Sequence, residues 1–416
     1  MKKTVFRWFT VFLTLIVMYG CYREGGVGPD ENGSHKRGDI IEATQIGEFS
    51  LEYIGLILNT FQIELPIQLE YSVKVIKIVY QTVDHEGKGE VASGALFIPQ
   101  TSGPFPMLSH HHGTVTNRYM VASVNPLYSP VGLISASIGY LTCEADYLGL
   151  GVSGIMHPYL HAESSALAVI DMIRASKNYC NDNNISFNGK LFLGGYSQGG
   201  YVTLAVQKQI EESYGDEFNI TASAPMAGPY DLAGTMDTIL QDTSYTHLLY
   251  IGYTLTAYDD IYGWNRLEEF FNPPYGEMMP ELFDGTKTYF EITKELPDRL
   301  TQLLNQKFID DCINGTEEDV IPALEENTLL DWSPVAPIRF FHGDSDDVVM
   351  YQNALTAVKN LKQNGAGSVE LVTIPGGTHE SAAVPAYIGM IEWFESFRNF
   401  EVMAERNKEN IPLTHY

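Results

Sequence analysis

The chain has 416 residues, 44% hydrophobic and 12% aromatic, which is enough apolar surface for a large packed core and excludes disorder over most of its length. Its 52 acidic residues against 25 basic give a formal net charge of -27, a field that repels phosphate backbones and anionic headgroups. Nucleic acid is thereby excluded as a partner, and no internal repeat points to a solenoid.

The N-terminus reads as an export signal. Lys2, Lys3 and Arg7 precede the apolar run Trp8 to Tyr19, which is too short for a comfortable membrane span, and Gly20 sits directly before Cys21. Together with the flexible Tyr22 to Asp39 stretch this resembles the lipobox and tether of bacterial lipoproteins, although Met18 and Tyr19 depart from the commonest pattern. The resemblance implies that Cys21 is lipidated and that the protein is exported and held on a membrane, periplasmic or at the cell surface. Ordinary signal cleavage and an uncleaved anchor are the alternatives. Residues 1–21 are thus read as signal peptide with lipobox and 22–45 as a flexible tether. Cys143, Cys180 and Cys312 are too widely separated for a metal site and are read as buried structural thiols.

Further along, YSVKVIKIVY (Tyr71 to Tyr80) and VASGALFI (Val91 to Ile98) flank a turn at Gly87 to Gly89 and predict a β-hairpin. Short apolar runs at Pro106 to Ser109, Tyr140 to Ala145, Lys190 to Gly194, Ile220 to Met226, Ile338 to Phe341 and Val369 to Ile374 predict buried parallel strands. Helical patterns fall between them at Ala162 to Asn178, Gly199 to Tyr214, Tyr351 to Gln363 and Ala386 to Phe400. Strand and helix in alternation imply an α/β architecture, a mostly parallel sheet with helices on both faces. Residues 234–331 break this rhythm with no convincing buried strand and are too long for a simple loop, so they predict a helical cap inserted between the sixth and seventh strands, with peripheral helices that only buttress the sheet as the alternative. It divides the core into 46–233 and 332–416.

Three local constellations carry chemistry. Gly195-Tyr196-Ser197-Gln198-Gly199 is G-x-S-x-G directly after a strand and before a helix, where a sharp turn would lift the Ser197 hydroxyl clear of the sheet. A serine hydroxyl is a weak nucleophile that needs an imidazole, which in turn needs a carboxylate to fix its tautomer. Of the eleven histidines, only His379 and His415 lie beyond Ser197 and the candidate acids; His415 is one residue from the C-terminus, whereas His379 follows the last strand in the loop Pro375-Gly376-Gly377-Thr378-His379. The stretch His342-Gly343-Asp344-Ser345-Asp346-Asp347-Val348 supplies three carboxylates after one strand, with Asp346 and Asp344 as candidate orienters and Asp347 expected to cap the next helix or face solvent.

After the Pro106 to Ser109 strand comes His110-His111-His112-Gly113-Thr114. The backbone N–H of Thr114, with that of Gln198, is the candidate oxyanion hole. Three consecutive strand histidines point to alternating faces and cannot converge on one metal without a sharp bend. Asp146 and Tyr147 are expected to brace loops, and His157 and His161 to be loop or pocket residues.

Taken together, HHHGT, ADYLGLG with HPYLHA, GYSQGG, HGDSDDVV and GGTH resemble the secretory lipase branch of the α/β-hydrolases and similar exported bacterial esterases, over roughly Tyr71 to Phe400. The H-G-x-x-D-x-x-V register selects Asp346. The resemblance implies a Ser197-Asp346-His379 triad, hydrolysis of a small-molecule or lipid ester through an acyl-enzyme, no metal and no organic cofactor. A serine peptidase of the prolyl-peptidase kind shares the fold and triad, though the N-terminal region is too short for a propeller domain. A non-catalytic surface binding lipoprotein is a third reading, against which the complete triad speaks.

Overall fold

The computed structural model describes residues 36–60, 63–242 and 244–398. Strand β1 (Ile40–Phe49) pairs antiparallel with β2 (Val73–Val83), which pairs antiparallel with β3 (Gly89–Pro99) in the predicted hairpin. The strands β4 (Phe105–His111), β5 (Leu141–Ala145), β6 (Phe187–Tyr196), β7 (Ile220–Met226), β8 (Ile338–Gly343) and β9 (Val369–Ile374) follow. They form one sheet in the order β1-β2-β3-β5-β4-β6-β7-β8-β9, parallel from β5 to β9. All six strands predicted from apolar runs are present; β4 to β8 are largely buried, because a strand covered on both faces is apolar throughout, whereas β9, expected to be buried, is an edge strand with only Val369 buried.

Strand β1 corrects the extent expected for the tether, which ends before Ile40 rather than at residue 45. Its sequence IIEATQIGEF carries no clear alternation because it is an edge strand whose side chains are half-exposed or exposed along its whole length. Helices α1 (Leu51–Thr60) and α2 (Pro130–Ser137) also escaped sequence reading. In α2 every residue from Gly132 to Ser137 is buried, so no polar face marks a helical period.

Alternation sorts the core onto the two faces of the sheet. Leu191 and Leu193 of β6 face α3 (Ala162–Asp182) and α4 (Gln198–Ser213). Between them, Phe192 points to the other face and lies 4.6 Å from the ring of Phe394. Burying a side chain of that size contributes about 2–3 kcal/mol.

Between β7 and β8 the chain runs through α5 (Leu232–Gln241), α6 (Leu248–Tyr262), α7 (Leu267–Phe270), α8 (Tyr275–Leu282), α9 (Tyr289–Glu295), α10 (Leu300–Leu303), α11 (Gln306–Asn314) and α12 (Val320–Glu326). The extra strand β1 shifts the count by one, so the predicted sixth and seventh strands are β7 and β8. Helices α13 (Gln352–Gln363) and α14 (Ala383–Arg398) complete the layers, with α14 packed over Phe192 and Phe341. Cys143, Cys180 and Cys312 are all free thiols, and burial pushes each up to about 12, out of the reactive range.

Candidate active site

Parallel strands β6, β8 and β9 end at one rim of the sheet, and each hands the chain to a loop carrying one predicted residue. At the end of β6, Ser197 adopts φ 60° and ψ -122°, a backbone region in which a side chain is strained. Packing around this elbow dictates its glycines. A Cβ on Gly195 would lie 2.5 Å from the carbonyl oxygens of His111 and Gly199, and one on Gly199 would lie 2.0 Å from that of His111. The Ser197 N–H donates to the Met226 carbonyl at 2.9 Å, anchoring the turn to the neighbouring strand.

His379 arrives from the loop after β9. Its Nε2 lies 2.9 Å from Ser197 Oγ and its Nδ1 lies 2.8 Å from Asp346 Oδ2. Tyr196, beside the serine, donates its hydroxyl to the His379 carbonyl at 2.7 Å and fixes the imidazole's backbone. The Asp346 side chain is fully buried; its Oδ1 accepts from the N–H groups of Val348 at 3.0 Å and Val349 at 2.8 Å. Burial raises the Asp346 carboxyl, but hydrogen bonds from His342 and His379 outweigh it and hold the group at about 2. A carboxylate that stays ionised can keep the proton of His379 on Nδ1, which leaves Nε2 as the acceptor facing the hydroxyl.

The other carboxylates of this loop have separate tasks. Asp344 turns away from the imidazole and accepts from the Gly376 N–H at 2.6 Å. Asp347 is 60% exposed but does not cap α13; its Oδ1 accepts from the His379 N–H at 3.3 Å, and its Oδ2 lies 3.6 Å from His247 Nε2. The three aspartates thus hold the His379 loop at a turn, at the ring and at the main chain. His342, which served only as a register mark in sequence, is fully buried and shares its Nε2–H between Val349 O at 2.8 Å and Asp346 Oδ2 at 3.2 Å. The H-G-x-x-D spacing was the signal that could have found it.

The HHHG run passes beside the elbow, where a Cβ on Gly113 would lie 3.8 Å from that of Ser197. Its imidazoles diverge: His110 pairs with buried Glu144, His111 Nδ1 meets Thr203 Oγ1 at 2.8 Å, and His112 stacks on Tyr147 at 4.1 Å. Asp146 accepts from the Ser93 hydroxyl at 2.5 Å and Tyr147 donates to His112 O at 3.0 Å, so both brace loops. Among the described residues, the backbone N–H groups of Thr114 and Gln198 make no internal hydrogen bond.

The Gln198 side chain is pinned by His157, whose Nδ1–H donates to Leu148 O at 2.7 Å and whose Nε2 accepts from Gln198 Nε2 at 2.8 Å. Burial pushes His157 down to about 3, so it stays neutral and can serve as that acceptor. His161 caps α3. Cys21 and His415 lie outside the described residues.

A cavity of about 590 Å³, counting its open mouth, begins at Ser197 and Gln198. Its lining is mostly apolar: the segment between β7 and β8 supplies Leu232, Met236 and Ile239 of α5, Ile251 of α6 and Leu324 of α12, with hydroxyls from Thr235, Tyr245, Tyr250 and Thr254. A serine-bearing elbow, an imidazole bonded to a buried carboxylate and a largely apolar pocket have the chemistry that acyl transfer to and from a serine requires.

The secretory lipase family model matches residues 132–399. No curated protein matches the sequence. Among solved structures, a ligand-bound form of the rice cell wall degrading esterase LipA from Xanthomonas oryzae is 29% identical, with a TM-score of 0.78 over 86% of this chain and 96% of that one. A putative hydrolase from Legionella pneumophila is 28% identical, with a TM-score of 0.80 over 86% of this chain and 98% of that one. Lipase A from Candida antarctica in its closed state is 18% identical, with a TM-score of 0.68 over 89% of this chain and 84% of that one, a likeness of fold. The chain belongs to the secretory lipase family and is a carboxylic ester hydrolase of the α/β-hydrolase fold.

Proposed function

We propose that the enzyme cleaves esters with an apolar acyl part through a covalent intermediate on Ser197. His379 Nε2 takes the hydroxyl proton as Ser197 Oγ attacks the ester carbonyl, and the N–H groups of Thr114 and Gln198 hold the oxygen on which charge develops. The tetrahedral intermediate expels the alcohol, which leaves with the proton held by His379. Water then gives a proton to the same imidazole and attacks the acyl-enzyme, and Ser197 regains its proton as the acid departs. Asp346 keeps the imidazole in the required tautomer throughout. The segment 234–331 serves as a cap whose helices line the acyl pocket.

The observation that carries this reading is the unbroken run of hydrogen bonds from Asp346 Oδ2 through His379 to Ser197 Oγ, at 2.8 and 2.9 Å. A fluorophosphonate probe is expected to label the wild type and not Ser197→Ala, and nitrophenyl esters are expected to be cleaved far faster than proline-containing aminoacyl amides. Preference for the amides would favour the peptidase reading; a folded wild type that takes no label would favour the non-catalytic binder.

Secretory-family membership is that of an exported protein. We infer in addition that Cys21 carries a lipid that anchors it to a membrane. Among the described residues no helix is long and apolar enough to cross one. Cys21→Ser is expected to move the enzyme from the membrane fraction to the soluble fraction of a bacterial host; unchanged membrane partition would sink the lipid anchor.

A further inference from the structure

The loop after β4 leaves the sheet at Gly113, and the groups that hold it belong to the segment between β7 and β8 and to the stretch between β5 and α3. Its outer part lies along the turn joining α8 to α9. Arg118 Nη2 donates to Asp284 O at 2.6 Å and the Arg118 backbone N–H to Gly285 O at 2.8 Å. Asn117 Nδ2 donates to Thr286 O at 2.7 Å, and Thr116 Oγ1 to Lys287 O at 2.9 Å. Successive carbonyls of one turn therefore receive successive residues of the loop.

At the inner end, Thr114 Oγ1 is hydrogen-bonded to Tyr159 OH at 2.8 Å. That ring is itself clamped, lying parallel to Tyr253 of α6 at 4.4 Å, while Tyr253 stacks on Phe283 at 4.6 Å. Tyr159 also lines the cavity that opens at Ser197.

We propose that Tyr159 is a positioning residue for the oxyanion hole: through Thr114 Oγ1 it fixes the height and tilt of the Thr114 backbone N–H over Ser197, and the Tyr253–Phe283 stack fixes Tyr159. The inference rests on Thr114 being the oxyanion donor proposed above. A backbone donor stabilises a transition state only if it is already aimed where charge develops, and misplacement by about 1 Å costs on the order of a hundredfold in rate. A glycine-led loop with no partner strand cannot hold that aim by itself. The inserted helices supply it, and on this side of the site they act as a fixed wall that cannot swing away without dismantling the oxyanion hole.

The test compares wild type, Tyr159→Phe, Thr114→Val and the double variant, reading kcat and KM on a nitrophenyl ester and inhibition by a trifluoromethyl ketone, whose serine adduct carries the oxyanion. Tyr159→Phe keeps the stacked ring and removes only the hydroxyl; it is expected to lower kcat by about tenfold to a hundredfold with KM nearly unchanged, and to weaken the ketone in parallel. Thr114→Val, which retains the backbone N–H, is expected to do the same, and the double variant to be no worse than either single one, since both remove one bond. A Tyr159→Phe kcat within about twofold of wild type, or losses that multiply in the double variant, would overturn the positioning role. If Tyr159→Phe does not fold, Thr114→Val, which cuts the same bond from its other end, carries the test: a fall in kcat without a rise in KM supports the role, and no change in kcat overturns it. Fluorophosphonate labelling of the wild type separates the two levels. A wild type that takes no label removes the underlying nucleophile assignment, whereas labelling together with an unaffected Tyr159→Phe removes the positioning role alone.

Discussion

Ser197→Ala is expected to lower kcat for ester hydrolysis by about a millionfold, the cost of deleting a nucleophile whose partners act as a unit. Ser197→Gly is expected to be as inactive, yet more stable than the alanine variant. Both lose the hydroxyl and its bond to His379, so the difference between them isolates the backbone. At φ 60° and ψ -122° a Cβ-bearing residue is strained by about 1–3 kcal/mol, and glycine is not. Against this, glycine gains about 0.5–1 kcal/mol of freedom in the unfolded chain, which leaves a net difference of up to about 2.5 kcal/mol. For a chain of this size that corresponds to at most roughly 3 °C in Tm, readable by thermal shift on matched samples. More than about one part in a thousand of wild-type kcat in either variant would move the nucleophile elsewhere. Equal midpoints would mean that the strain at the elbow is no larger than the roughly 0.5–1 kcal/mol of unfolded-state freedom that glycine adds.

The same elbow shows why so much of this site could be read from sequence. Ser197, Asp346 and His379 each sit in a short stretch whose local residues dictate a strand end and a loop, so GYSQGG, HGDSDD and PGGTH carry their geometry with them. Glycine is required at Gly195 and Gly199 by the carbonyl oxygens of His111 and Gly199, and those requirements surface as a motif. What stayed hidden is tertiary. Nothing local to Asp344 or Asp347 says that their acceptors will meet the Gly376 and His379 N–H groups of another loop. Tyr159 reaches Thr114 across 45 positions, and Thr116 reaches Lys287 across 171. The fold follows the same division: strands buried on both faces were legible as apolar runs, and edge strand β9 through its run of Val, Leu and Ile, whereas edge strand β1 and fully buried helix α2 lack the contrast between wet and dry faces on which periodicity depends.

Asp346→Asn tests the other end of the relay, with an expected loss of about ten-thousandfold in kcat at neutral pH and little change in KM. The amide oxygen can still accept from Val348 and Val349, so the loop is retained. Its NH2 then faces His379 Nδ1 and selects the tautomer protonated on Nε2, which cannot take the proton of Ser197. The substitution also removes a linkage between protonation and folding. The folded Asp346 carboxyl is held at about 2, below the ordinary aspartate value of about 3.9, so ionisation stabilises the fold. That contribution is complete above about pH 4 and is lost as pH falls towards 2; it is on the order of 2 kcal/mol. Wild type is therefore expected to be the more stable protein at pH 6, with the gap in Tm to Asp346→Asn narrowing between pH 4 and pH 2.5 as the wild type alone loses this stabilisation. A gap that stays constant across that window would mean that the carboxylate is not ionised against the imidazoles of His342 and His379. A variant retaining more than about a tenth of wild-type kcat would mean that Asp346 does not orient the base.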